Sequence, residues 1–406
     1  MKILHCADLH MDSPMETHMT RVQAATRNAE ILKSFQRMTE YAEQEKIRLV
    51  LIAGDLFDGE RVTRRTVEGV LDAVRCTPQI DYLYVSGNHD DQTNAFADQD
   101  VPENFKRFTD KWNTFEYGDV AVSGIEITKA NASTLYGQLP PQKSRVNIVM
   151  LHGQISTTCE VDQVNLNLLK GKNISYLALG HIHTYSCEQL DRDGIYCYPG
   201  CLEGRGFDEC GEKGFVVLDT ETRRITPVFI PFSSRKLHRV TVDITGAATN
   251  SAVYQAMKKA SQNISKKDMV EFILTGAADP SARIAKKYLY NLAENDFFFV
   301  KIKDETKLMI DPKDYENDIS LKGEFIRLVM ASDASEEDSA GTVDSVMLCM
   351  RLALIDALFK QEKPFVLLDD PFVNLDDEHT ERALEMLTEI AKNKQVVYMV
   401  CNSSRC

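Results

Sequence analysis

No Cys-x-x-Cys pair and no cysteine–histidine spacing suited to zinc occurs in this sequence, although ten cysteines are scattered along its 406 residues. Cys6, Cys76, Cys159, Cys187, Cys197, Cys201, Cys210, Cys349, Cys401 and Cys406 form no framework, and several sit inside apolar stretches. Reduced thiols in a cytoplasmic protein are therefore expected, not a disulfide scaffold. No apolar run approaches the ~20 residues of a membrane-spanning helix, so no membrane partner is expected. Met1-Lys2-Ile3-Leu4-His5 leads straight into a strand-like run, without an apolar secretory segment. Also missing are a Gly-x-x-x-x-Gly-Lys-Ser/Thr phosphate loop, a heptad tract and any internal repeat. Positive charge is scarce too: 47 Lys and Arg face 61 Asp and Glu, a net charge of -14 that excludes a generally basic nucleic-acid binder. Residues 331–406 hold 15 acidic against 7 basic side chains, a net of -8, which leaves -6 for the first 330. Any contact with phosphate must then run through local patches and bound metal.

What is present suits a soluble globular chain long enough for two or three domains, with 43% hydrophobic and 27% charged residues. Lys2 to Ala7, Ile47 to Ala53 and Asp81 to Val85 read as strands. Between them, Ile31, Phe35, Met38 and Ala42 mark one helix face, and about Arg61 to Arg75 reads as a second helix. Strand and helix in alternation indicate a doubly wound or layered α/β domain. A longer irregular stretch precedes the apolar strands Arg145 to Met150 and Ile174 to Leu179, and Gly214 to Asp219 reads as a closing strand. From about Ser233 the pattern becomes β-α-β-α-β. Its second helix, Ser281 to Glu294, is expected to present Ile284, Tyr288 and Leu292 on one face. These boundaries divide the chain into 1–232, a small α+β domain over 233–330, an acidic linker over 331–338 and a tail over 339–406.

Chemistry collects at strand ends. Asp8-Leu9-His10, Gly54-Asp55, Gly87-Asn88-His89-Asp90, Leu151-His152-Gly153 and Gly180-His181-Ile182-His183 each follow an apolar run, and together they hold five of the nine histidines. Carboxyl ends of strands are where open α/β sheets place ligands. One such turn is ordinary Gly-Asp or Gly-Asn chemistry; five in series are not. Imidazole, carboxylate and an amide oxygen form a donor set for manganese, iron or zinc. A carboxylate such as Asp55 can bridge two ions ~3.5–4 Å apart, which would clamp a phosphoryl group.

At these residues the chain resembles the calcineurin-like metallophosphoesterases. Leu4-His5-Cys6-Ala7-Asp8-Leu9-His10, with Tyr198-Pro199-Gly200 and Glu203-Gly204-Arg205, is similar to the SbcD group of DNA repair nucleases, including its YhaO-like branch. The resemblance covers about residues 1–330. It implies an α/β layered domain, a β-sheet core flanked by helices, followed by a small cap. It further implies two divalent ions, manganese foremost, with Asp8, His10, Asp55 and His183 around one and Asp55, Asn88, His152 and His181 around the other. His89 would face the scissile phosphate and protonate the leaving oxygen. Cys201 stands where relatives carry serine, in a loop expected to border the site without supplying a ligand. DNA as substrate, an SbcC-like ATPase as partner and a homodimer are implied as well.

The tail resembles part of an ABC-type ATPase head of the SbcC family. Ser339-Ala340-Gly341-Thr342 is similar to the signature loop, Asp369 to the Walker B aspartate, Asp370 to the catalytic carboxylate, and Asn374-Leu375-Asp376 to the D-loop. With no phosphate loop, and Asn402 where the family has histidine, no ATP binding by this chain alone is expected. Two rival readings stand beside the nuclease: a phosphatase or phosphodiesterase on non-DNA substrates, and a non-catalytic assembly module that docks an ATPase.

Overall fold

A short apolar run becomes a fully buried strand when both faces of its sheet are covered. Leu49–Ala53 is such a run, with all five residues buried. The computed structural model describes residues 1–15, 19–59, 62–90, 95–97, 99–140, 143–221, 225–278 and 284–308, then 365–369, 380, 383–385, 387–388, 391–392 and 395–399. They divide into two units, Met1–Lys307 and Leu308–Cys406.

The first unit opens with β1 (Lys2–Cys6), α1 (Arg21–Gln44), β2 (Leu49–Ala53), α2 (Arg64–Arg75) and β3 (Asp81–Val85). Next come β4 (Phe105–Arg107), β5 (Asn113–Tyr117), β6 (Val120–Gly124), β7 (Val146–His152), β8 (Gln154–Ile155) and β9 (Gln163–Val164). Then follow β10 (Tyr176–Gly180), β11 (Ser186–Gln189), β12 (Ile195–Tyr198), β13 (Gly214–Asp219) and β14 (Val228–Pro231). It closes with β15 (Leu237–Asp243), α3 (Asn250–Ala260), β16 (Met269–Thr275), α4 (Lys286–Ala293) and β17 (Phe299–Asp304).

Two six-stranded sheets result, of order β14-β13-β1-β2-β3-β4 and β11-β12-β10-β7-β6-β5. Ile3, Leu49 and Leu51 of the first pack with Ile148, Met150 and Tyr176 of the second. The other face of the first sheet is covered through Ile31, Phe35 and Met38 of α1 and Val70, Leu71 and Val74 of α2. Each such side chain contributes about 1.5–3 kcal/mol when fully buried. The α/β layered architecture expected from the sequence is thus present, with a sheet-on-sheet core. A separate parallel three-stranded sheet, β15-β16-β17, packs against α3 and α4 around Val253, Phe272 and Leu289.

Local chemistry moved several boundaries. The stretch read as irregular carries β4, β5 and β6; their runs of three to five residues are too short for periodicity to register. α2 begins at Arg64 because Thr63 accepts a hydrogen bond from Thr66 N–H as its N-cap. α4 buries Leu289 and Ala293, whereas Tyr288 is exposed, so the expected Ile284–Tyr288–Leu292 face is rotated. The aromatic ring misled the pattern because a tyrosine can lie along a surface as readily as inside.

In the second unit, β18 (Val366–Asp369) pairs in parallel with β19 (Val396–Met399), and Val366 and Leu387 are buried. Asp369 is therefore the last residue of a strand. Ser339, Gly341, Asp370 and Asp376, with the helix expected over Val343–Phe359, lie outside the described residues.

Candidate metal centre

The carboxyl ends of β1, β2, β3, β7 and β10 point to one place, where the two sheets meet. β1, β2 and β3 run parallel in one sheet, and β7 and β10 run parallel in the other. Two glycines allow the approach. Gly54 has φ +92°, and a Cβ there would lie 2.1 Å from His152 Nδ1; a Cβ on Gly180 would lie 1.9 Å from the Ala53 carbonyl oxygen. Past the strand ends the backbone is strained: Asp8 (φ 54°), His10 (φ 47°), Asp55 (φ 50°) and His181 (φ 105°) all occupy positive φ. Such conformations cost about 1–3 kcal/mol each and persist where surrounding structure imposes them.

All seven expected ligands come together. Asp55 Oδ2 lies 3.6 Å from His10 Nε2 and 3.4 Å from His152 Nε2, between the two halves of the set. His10 Nε2 and His183 Nε2 are 3.1 Å apart. Asn88 Oδ1 sits 3.1 Å from His152 Nε2 and 3.3 Å from His181 Nδ1, and Asp8 accepts from His181 N–H at 2.8 Å. Donor atoms of Asp8, His10 and His183 fall within 4.8 Å of one another, as do those of Asp8, Asp55 and His152. The residues fit a pair of cations. Asp8 Oδ2 is buried without a hydrogen-bond partner, which is costly for a polar atom unless an ion satisfies it.

The groups of the site perturb one another strongly. Burial raises Asp8 to about 6 and, with Arg205 nearby, lowers His10 to about 3. Burial also works against charge at His152, but the Asp55 carboxylate outweighs it and lifts the ring to about 9. Burial opposes the Asp55 charge as well; the hydrogen bond from His152 prevails and holds that carboxyl well below its usual range.

His89 is placed differently. It is 44% exposed at the rim, its backbone N–H donates to Asp55 Oδ1 at 3.0 Å, and its Nδ1 lies 2.9 Å from Asp58 Oδ1. The bond to Asp58 raises its pKa above the ordinary histidine value. His10, Asp58 and His89 also form a third close group.

Three residues of the site carry no role in the sequence reading. Asp58 holds His89. Glu209 Oε1 lies 2.6 Å from His183 Nδ1, and Arg205 bridges Glu209 at 3.0 Å and Asp58 at 3.1 Å. With Nδ1–H given to Glu209, His183 keeps Nε2 for a metal; His152 does the same by donating Nδ1–H to Ala53 C=O at 2.9 Å. Arg205 stands inside Glu203-Gly204-Arg205 and Asp58 three residues past Asp55, so both could have been found by that proximity; Glu209 has no sequence signal. Asp90 accepts from Leu56, Phe57 and Gly87 N–H groups and so ties two ligand loops together. Cys201 is buried, its thiol 3.6 Å from the His183 carbonyl oxygen.

Comparison with known proteins agrees with this geometry. The calcineurin-like phosphoesterase family matches residues 1–185. Over 300 residues the chain is 25% identical to the uncharacterized metallophosphoesterase YhaO of Bacillus subtilis, covering 68% of this chain and 72% of that protein. The DNA double-strand break repair protein Mre11 of Aeropyrum pernix is 25% identical over 290 residues, covering 65% and 69%. A dimetal phosphatase from Danio rerio aligns over 56% of this chain and 98% of its own at 12% identity, with a TM-score of 0.37, too distant to decide anything. Residues 1–185 are a calcineurin-like metallophosphoesterase domain, and the chain is a metal-dependent hydrolase.

Proposed function

We propose that the chain is a dimetal-dependent DNA exo/endonuclease of SbcD type, hydrolysing phosphodiester bonds in DNA repair and processing. The observation that carries this reading is a cleft of about 660 Å³ opening at Asp58 and lined by Arg205, Phe207, Arg239 and Lys301. It runs from Asp58 and Glu209, the partners of His89 and His183, to the three-stranded sheet, further than one phosphate needs. On that sheet Arg239, Glu271 and Lys301 stand opposite one another on β15, β16 and β17. Glu271 holds both cations, at 2.8 and 2.9 Å, which leaves a patch of one net positive charge on this wall, while Asp58, Asp208 and Glu209 also line the cleft. Such a patch suits a phosphate backbone.

Asp8, His10, Asp55 and His183 would hold one ion, and Asp55, Asn88, His152 and His181 the other; manganese fits the mixed donor set. Two ions so held would polarise the phosphoryl group and lower the pKa of water. The rest falls to the chain. His89, with Nδ1 engaged by Asp58, which shifts its pKa upward, is placed to offer a proton from Nε2 to the leaving oxygen. Arg205 keeps Asp58 and Glu209 in place, and through them His89 and His183.

The cap over 233–330, the linker over 331–338 and the ATPase-like tail over 339–406 complete the proposal, with an SbcC-like ATPase as partner, a homodimer as the working form and a cytoplasmic location. Among the described residues no helix is long and apolar enough to cross a membrane. The test is incubation of purified chain with end-labelled DNA and manganese, with and without EDTA. Cleavage abolished by EDTA is expected; turnover of p-nitrophenyl phosphate with DNA left intact would favour a phosphatase instead.

A further inference from the structure

At the outer edge of the second sheet, β11 and β12 form an antiparallel hairpin in which Cys187 stands directly opposite Cys197. The loop decides what kind of pair this is. Leu190 N–H donates to Gly194 C=O at 2.9 Å, which makes those two a hydrogen-bonded pair. Hydrogen-bonded and non-hydrogen-bonded pairs alternate along an antiparallel ladder. Cys187–Cys197 is the third pair beyond Leu190–Gly194 and so is non-hydrogen-bonded, with Cα atoms ~4.5 Å apart. That separation lies inside the ~4.4–6.8 Å that a disulfide spans.

The side chains of an opposed pair share a face, and both of these pack into the core between the two sheets. Their surroundings differ. Cys197 is fully buried, whereas Cys187 is partly exposed and lines a surface cleft of about 450 Å³ with Glu188, Arg192 and Ile225. The neighbouring Cys197 thiol lowers the pKa of Cys187, which favours its thiolate. One thiol is open to a small oxidant and the second waits behind it. The other described cysteines lack this arrangement: Cys76 is exposed, Cys159 and Cys210 are partly exposed beside the Asn165 amide and the Phe207 carbonyl, and buried Cys6 and Cys201 sit beside the Leu51 and His183 carbonyls.

We propose that Cys187 and Cys197 are a peroxide-reactive dithiol that closes to a disulfide across the β11–β12 hairpin. The Cys187 thiolate attacks hydrogen peroxide, breaking the O–O bond; Cys187 becomes a sulfenic acid and hydroxide leaves. The Cys197 sulfur then attacks the Cys187 sulfur, the S–S bond forms, and the sulfenic hydroxyl leaves as water with the Cys197 proton. Hydroxide takes up the proton released when Cys187 ionised. Two thiols and one peroxide become one disulfide and two waters, with two electrons passed to the peroxide.

The test treats the reduced full chain with hydrogen peroxide, blocks remaining thiols with iodoacetamide, and maps peptides without reduction. A cross-linked Cys187–Cys197 peptide that dithiothreitol removes is expected, with two alkylatable thiols lost per chain. In Cys197→Ser the sulfenic acid has no second thiol, so dimedone should label Cys187. In Cys187→Ser, Cys197 should stay reduced at the same dose. The same treatment in urea should scatter the pairing among other cysteines. No cross-linked peptide, first oxidation at Cys197 or Cys76, or equal pairing in urea would overturn the proposal.

Discussion

Replacing Arg27 by leucine tests whether a buried ion pair holds the loop beside the metal site. Arg27 is fully buried on α1. Its Nη1 donates to Glu30 at 2.6 Å, and its Nη2 donates to Glu203 at 3.0 Å and to the Gly204 carbonyl at 2.8 Å. Glu203, whose side chain is also fully buried, has two other donors, the Ser34 hydroxyl at 2.6 Å and Ser234 N–H. Arg27→Leu therefore leaves a carboxylate buried with only neutral partners and strips the Gly204 carbonyl of its donor. Removing one member of a buried pair costs about 3–5 kcal/mol. Leucine returns little, because the arginine stem already fills the site. At roughly 2–4 °C per kcal/mol the melting temperature should fall by roughly 6–20 °C. The double variant Arg27→Leu/Glu203→Gln should recover at least a third of the loss, since no charge is then left unpaired. Thermal melts followed by circular dichroism give all the stabilities the cycle needs. A loss below about 1 kcal/mol, or strict additivity of the two substitutions, would refute the reasoning.

Asp55→Asn removes the charge between the two halves of the ligand set, so elemental analysis should find less bound metal and manganese-dependent turnover should fall by orders of magnitude. Full activity in that variant would remove the dimetal assignment. His89→Ala should keep near-wild-type metal content yet lose about 10²–10⁴-fold in turnover; metal lost with activity would make His89 a ligand. Burial works against the Glu30 charge, but Arg235 and Arg27 prevail and hold its pKa below 4.5. A carboxyl depressed in the folded state stabilises above its unfolded pKa, and that contribution is lost as pH falls through the folded value. Melting temperature should thus decline in acid below about pH 4.5, and Glu30→Gln should flatten that decline; an unchanged slope would contradict the assignment. Calorimetry should detect no ATP binding by the purified chain, and binding only once an SbcC-like amino-terminal lobe is added, because no glycine-rich loop and lysine are present to hold the phosphates. Micromolar binding by the chain alone would mean the tail has been misread.

The candidate ligands could be picked out because the position of each depends on short-range chemistry. An apolar run such as Leu49–Ala53 can hardly be anything but a buried strand, and Gly54-Asp55 must then turn at its carboxyl end. The same holds for Asp8, His10, Asn88, His89, His152, His181 and His183, and the helix faces of α1 and α2 follow from spacing alone. Tertiary structure decided the rest, wherever a residue's role depends on a partner distant in sequence. Glu209 reaches His183 across 26 residues from a short turn with no periodic signal, and Arg27 reaches Glu203 across 176. Asp58 gains its role only when the β2 and β3 loops meet, and Cys187 meets Cys197 only in one hairpin register. Local sequence sets backbone propensity and therefore where chemistry is presented. Which charges neutralise one another, which ring nitrogen stays free for a metal, and which thiols touch depend on distances that exist only after the sheets have packed.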